Sequence, residues 1–481
     1  MKRHRLRYAL FIGIGLLIIA LAQSCAVNPV TGRREFMLYS EQDEIALGKE
    51  THPQIVQQFG IYQDAETDAY VRRVGEALTP YTHRLHLEYH FAVLDSPVVN
   101  AFAVPGGYIY VTRGIMAMMN SEAELAVVLG HELGHVNARH SMRRLSNVML
   151  AQIGLAAGSA ISKTFADFAG LASVGLQLLF LQYSRDDERE ADQLGVEYSR
   201  AGLYNPAKMI DFFGSLEKMG DLSGGHSLPG FLSTHPLTSE RIENTREMIQ
   251  ESDQSLKVQG GAYLKRIEGM VYGNDPRQGY VEGNAFFHPT LRFSYRFPEK
   301  WAVQNLPYQV SMVAPEEDAA IILQAEKSSD SLSSYAAGRA QKLEGAELRD
   351  ERAATVNRLN VLQQVWDYED ENNGQLRLQL TYIQYGSYIY SFTALSRRED
   401  FAKYQTDFSS TAGSFRTLTD KKYLNRQPKR LRLVSADGRS SIREIFQRQG
   451  IPEELWPQFA VMNALELDQK PERGRQIKVI R

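Results

Sequence analysis

The chain has 481 residues, 43% hydrophobic and 23% charged, an ordinary globular composition with enough apolar residues for two or three domains. A formal charge of −3 excludes the strongly basic footprint of a nucleic-acid binder, so no nucleic-acid partner is expected. A single cysteine excludes an internal disulfide and leaves stability to the core and to any bound metal.

At the amino terminus Lys2, Arg3, Arg5 and Arg7 precede an apolar run over residues 8–22. That run is shorter than the roughly 20 residues of a comfortable membrane helix and suits a secretory signal. Cys25 follows Ala22-Gln23-Ser24, which resembles a bacterial lipoprotein cleavage site. Residues 1–24 would then be removed and Cys25 would carry the lipid, with ordinary signal cleavage or an uncleaved anchor as alternatives. Residues 40–59 and 64–79 show the periodicity of amphipathic helices, and residues 87–94 and 108–112 read as strands. Before the second strand, Asn100, Ala101, Phe102 and Ala103 form an extended segment on whose backbone a peptide can add as a further strand. A plain core strand is the alternative there.

Ser121 with Glu124 fits a capping box opening an apolar helix. Inside that helix lies His131-Glu132-Leu133-Gly134-His135. Residues four apart share a helix face, so the two imidazoles can grip one zinc ion while Glu132 stands beside them as a general base. A hydrolytic zinc needs a third protein ligand. The local pattern of Gly and His at 138 and 141 is not met, since those positions hold Ala138 and Ser141, and His140 reads as a polar helix residue. Farther on, Glu188 and Asp192 share a face of a second helix. Glu188 can complete the zinc site and Asp192 can accept the ring N–H of a ligating histidine; a solvated acidic face is the alternative.

The apolar stretch over residues 149–181, broken by Lys163 and Asp167, reads as buried helix or cleft lid rather than a membrane span. Asn205-Pro206 starts a helix ending near Gly220, and Thr238 caps another reaching about Gln250. From about Tyr280 the pattern changes to alternating strands with one helix over residues 331–343, and Asn373-Gly374 marks a hairpin. This second region, residues 280–420, is α+β; His288-Pro289 through Phe297-Pro298 and Trp301 resemble the DcrB or PsbP-like fold. Residues 425–481 run strand, two helices, strand, an order that resembles a LysM module, although Asp437-Gly438-Arg439 replaces the usual Gly-Asp-Thr opening. Such a module would suggest a peptidoglycan contact.

Taken together, the His131–His135 motif, the Glu188 to Asp192 spacing, the element from Ser233 through His235-Pro236 to Arg241 and the segment Asn100 to Gly107 resemble the gluzincin metallopeptidases. The likeness is to the HtpX and CaaX prenyl protease family, on its periplasmic BepA- and LoiP-like lipoprotein branch. The resemblance implies His131, His135 and Glu188 as ligands of one Zn2+ per chain, Glu132 as base, and His235 and Arg241 facing the substrate oxyanion, with His235 alternatively filling the open zinc position. It implies a mainly helical zincin-type metalloprotease domain with a small sheet over residues 25–279, and with the accessory α+β domain and the small LysM-like module read above the expected protein is α+β and multidomain. It further implies a periplasmic protein held by lipid to the outer rather than the inner membrane. The implied activity is cleavage of unfolded or misassembled polypeptides, beside envelope assembly machinery or peptidoglycan. A chaperone for envelope proteins is the second function class, and a structural zinc protein the third; the intact Glu132 argues against the last.

Overall fold

The computed structural model describes residues 25–156, 182–222, 230–341, 343, 345–370 and 374–481. The expectations placed on residues 1–24 and on most of the apolar stretch 149–181 lie outside them. Among the described residues no helix is long and apolar enough to cross a membrane. The chain divides into two compact units, one made of residues 1–273 with 430–481, the other of Asn274–Lys429.

In the first unit Ser40 caps the helix Glu41–Phe59 through a capping box with Asp43, and Asp64 caps Ala65–Glu76. A three-stranded sheet follows, in the order His90–Leu94, Tyr108–Thr112, Ala101–Val104, with the first pair parallel and the second antiparallel. Ala101–Val104 therefore lies at an edge. The helix Glu122–Asn137 runs through the core with all its residues buried. Ser121 accepts from the Glu124 amide as expected, but the Glu124 carboxylate accepts from the Asn120 N–H and the Ser121 hydroxyl instead of from the Ser121 N–H. Helices Arg185–Ala201 and Lys208–Leu222 pack against it, and Ser239–Met248 packs on those two.

The carboxyl-terminal segment does have the order strand Leu431–Ser435, helices Ile442–Arg448 and Trp456–Met462, strand Gln476–Ile480, with the strands paired antiparallel. It does not stand apart as a module of residues 425–481, however. Ile442, Phe446, Phe459, Ile477 and Val479 belong to the same apolar core as Val127, Leu129 and Leu133. Too small to bury its own apolar face, the segment completes that of the first unit. Lys478 enters this core fully buried and donates to the carbonyls of Ala117, Met118 and Met119 at 2.8, 3.2 and 2.8 Å.

The second unit begins at Asn274 rather than at 280 and ends at Lys429. Its seven-stranded antiparallel sheet runs Glu347–Val356, Leu359–Asp370, Gly374–Tyr385, Tyr388–Arg397, Ala319–Lys327, Gln309–Val313, Ala302–Leu306. The second and third of these strands pair antiparallel in register, as a hairpin there requires, while Asn373 of the expected turn lies outside the described residues. Helix Leu332–Ala340 packs near Trp366 and Tyr382, while Phe401–Gly413 belongs to the cluster with Phe293, Trp301 and Phe392. The exposed edge strand Glu347–Val356 carries too many charges to show apolar alternation, which is why sequence periodicity passes over it.

Candidate metal centre

Two helices meet at their small residues. A Cβ on Gly195 would stand 3.1 Å from the His131 amide nitrogen, and one on Gly134 the same distance from Ala191 Cα. This close approach brings the face of Arg185–Ala201 that bears Glu188 and Asp192 against the two motif histidines.

His131, His135, Glu188 and His235 are all buried, each offering one ligand atom within 4.8 Å of the others. His131 Nε2 lies 3.0 Å from His135 Nε2 and 3.2 Å from His235 Nδ1; Glu188 Oε1 lies 2.9 Å from His235 Nδ1 and 3.5 Å from His135 Nε2. Ligands placed tetrahedrally at about 2.0 Å from zinc would be about 3.3 Å apart, so the set fits one such ion. Lone pairs of neutral imidazoles aimed at one another need a cation between them, and an all N/O donor set suits zinc.

The outer atoms of these ligands are held as well. His131 Nδ1 bonds Asp192 Oδ1 at 3.0 Å. Asp192 is in turn gripped twice by Arg241, at 2.7 Å each, and Arg241 Nη1 also lies 2.6 Å from Glu188 Oε2. The bland alternative of a solvated acidic face is therefore excluded for Glu188 and Asp192, which are 1% and 2% exposed. Burial alone would raise Glu188, but His235 and Arg241 hold it well below the usual carboxylate range. Burial pushes His135 well down. For His235 burial pulls down, and the carboxylates of Glu188 and Glu132 more than reverse it.

Glu132 is fully buried, and neither of its oxygens has a hydrogen-bond partner among the described residues. Burial raises its pKa, with His235 and His131 opposing. An orphaned carboxylate carries a cost of several kcal/mol in a protein interior, so its presence beside the donor cluster is the mark of a reactive group rather than a packing one.

Of the two places implied for His235, it takes the fourth corner of the donor set rather than one facing an open cleft; it follows the short helix Gly230–Thr234, and Phe231 stacks on its ring at 4.6 Å. Arg241 is 4% exposed and spends its donors on Asp192, Glu188 and the Pro236 carbonyl, so its charge orients the site instead of facing an oxyanion. Ala101, Phe102, Ala103 and Val104 are all buried, as a core strand would have them. What the strand retains for a peptide is its second backbone edge, which has no strand partner among the described residues. Asn100 beside it keeps a buried Oδ1 without a partner there. Cys25 opens the strand Cys25–Val27, paired with Arg34–Phe36. Sequence reading missed Tyr183, whose ring stacks on His135 at 4.0 Å, and His140, which is buried against His135. No spacing rule marks either one, because both reach the site by tertiary packing.

A HExxH helix, a glutamate from a second helix and a free carboxylate beside the donors define a metallopeptidase domain. The family described as "Peptidase family M48" matches residues 65–249, the segment holding all four donors. A beta-barrel assembly-enhancing protease of Yersinia pestis is 28% identical over 249 residues, covering 49% of this chain and 50% of the relative. Mitochondrial metalloendopeptidase OMA1 of Schizosaccharomyces pombe is 28% identical over 236 residues, covering 47% and 66%. The chain thus spans about half the length of the first of these relatives and about two thirds of the second. Among solved structures, a cyanobacterial PsbP from Synechocystis sp. PCC 6803 aligns with 28% of this chain and 94% of its own, at 10% identity and a TM-score of 0.24. That score is too low to assign a fold.

Proposed function

We propose that the protein is a zinc-dependent endopeptidase of the bacterial cell envelope that cleaves unfolded or misassembled polypeptides and rests in a closed state. The observation that carries this is the convergence of His131, His135, Glu188 and His235 beside the uncommitted Glu132. Bound there, zinc would polarise a peptide carbonyl and make water acidic enough to give up a proton near neutral pH. Glu132 takes that proton and passes it to the leaving amine, the work its unpaired carboxylate is placed to do. His235 has to leave the fourth corner before a substrate can reach it, and its place at the end of a five-residue helix is suited to that movement. The edge of Ala101–Val104 that has no strand partner among the described residues takes the peptide as an added strand, which reads main chain rather than side chains and favours unfolded segments.

The rest of the reading belongs to the same proposal. Cys25 carries the lipid that holds the protein to the periplasmic face of the outer membrane. Assembly machinery is a further partner, in keeping with the name of the Yersinia pestis relative. A peptidoglycan contact through the carboxyl-terminal segment is weaker, since that segment is committed to the core.

The test is stoichiometric zinc in the purified full chain and cleavage of an unfolded polypeptide. Glu132→Gln should keep the metal and lose cleavage by about 100-fold or more. Retained turnover in that variant would refute the assigned base. A second reading, a chaperone whose protease site stays closed, is favoured by His235 in the fourth corner. Full rescue of an envelope-defective strain by Glu132→Gln would support it over proteolysis.

A further inference from the structure

His135 is held from behind by a pair of residues that the chemistry above does not use. His140 is fully buried, and its Nδ1 lies 2.9 Å from His135 Nδ1 while its Nε2 lies 3.1 Å from Glu190 Oε2. The two imidazole rings meet edge to face, 4.9 Å apart at 74°. On an unbroken helix a residue five positions after His135 would point about 140° away from it. The turn between the helices Glu122–Asn137 and His140–Ala156 is what folds His140 back. Arg139 takes a left-handed φ of 57° there, a conformation that costs a non-glycine residue about 1 kcal/mol or more. Its guanidinium is anchored on Glu44 Oε2 at 2.7 Å and on the Tyr39 carbonyl at 3.2 Å, which holds the turn in place.

The hydrogens can be placed from this geometry. His135 presents Nε2 to the other donors, so its hydrogen sits on Nδ1. His140 Nδ1 must then accept that hydrogen, which puts its own on Nε2, directed at the Glu190 carboxylate. Glu190 stands one turn-half along the same helix from the ligand Glu188, so one helix supplies a ligand, the Asp192 that holds His131, and the carboxylate that holds His135 through His140.

We infer that His140 and Glu190 form a positioning relay that orients His135 and raises its basicity toward the metal, the counterpart of the direct Asp192 contact to His131. The inference rests on the metal-centre reading above and adds two positioning residues to it. His140 stands outside the four-residue donor set and belongs to the centre through the ring it supports.

The test is zinc affinity of the full chain, measured by competition with a chelator, together with thermal unfolding of the metal-free forms. His140→Phe is expected to weaken zinc about 10- to 100-fold and to shift the visible spectrum of the cobalt-loaded protein. Glu190→Gln, which keeps an acceptor and the packing, should weaken zinc by roughly tenfold or less, with the melting point of the metal-free form unchanged. Wild-type affinity in both variants would overturn the relay. So would affinity that falls only in step with the stability of the metal-free protein, because that marks plain packing. A wild-type chain that binds no zinc is a different result, which removes the metal-centre reading itself.

Discussion

At the scale of single residues the centre is built from groups that would be costly anywhere else in a protein. Glu132 is buried with no close side-chain hydrogen bond among the described residues, its Oε1 facing His235 Nε2 at 3.7 Å, and His235 closes the donor set. If His235 is a resident plug, His235→Ala leaves three ligands and a free corner, so cleavage of an unfolded substrate should rise severalfold while zinc stays bound. Loss of cleavage with zinc retained would instead make His235 a participant in the reaction. The motif histidines and Glu132 were readable in the sequence from helical spacing, which also paired Glu188 with Asp192 but left a solvated acidic face open for those two. His140, Tyr183 and the true place of Arg241 were not, since nothing local says which ring or carboxylate a side chain will meet.

At the scale of elements, two contacts tie strands to their surroundings. Lys478 on the last strand supplies three donors to the carbonyls at the end of helix Arg113–Met118. Lys478→Met keeps the volume but leaves those carbonyls unpaired, and the expected loss is about 1–3 kcal/mol, read by denaturant unfolding; an unchanged midpoint would show that the carbonyls find other partners. In the second unit Asp367 sits between strands, receiving Arg377 at 2.6 and 3.0 Å and Arg349 at 2.8 Å. The Arg377 contact first, and then Arg349, lower its pKa from 3.8 to about 2 against the opposing effect of burial. A depressed carboxylate stabilises fully above its unfolded pKa, and that contribution is lost as pH falls from 3.8 towards 2. Hydrogen-exchange protection in Leu359–Asp370, taken relative to the intrinsic rate at each pH, should therefore fall across that window in the wild type and show no such step in Asp367→Asn. The hairpin containing Asp367 was visible in advance through Asn373-Gly374, whereas the charged edge strand Glu347–Val356 was hidden because its residues face water on both sides.

At the scale of the whole molecule the second unit is an insertion. Val271 and Arg430 are bridge partners, so the chain leaves and re-enters the first unit at one place. Replacing residues 274–429 by a short Gly/Ser linker should thus yield a chain that folds and binds zinc. A product that aggregates or loses the metal would show that the first unit depends on the inserted one. The sequence by itself determined the metal motif, its second helix and most regular elements, because periodicity, caps and turn residues act over a few positions. Only the tertiary structure decided that residues 430–481 complete the first core, that a glycine-lined crossing brings Glu188 to the histidines, and that His235 fills the last corner. Those outcomes depend on which apolar faces bury each other across hundreds of residues, and no local pattern encodes that choice.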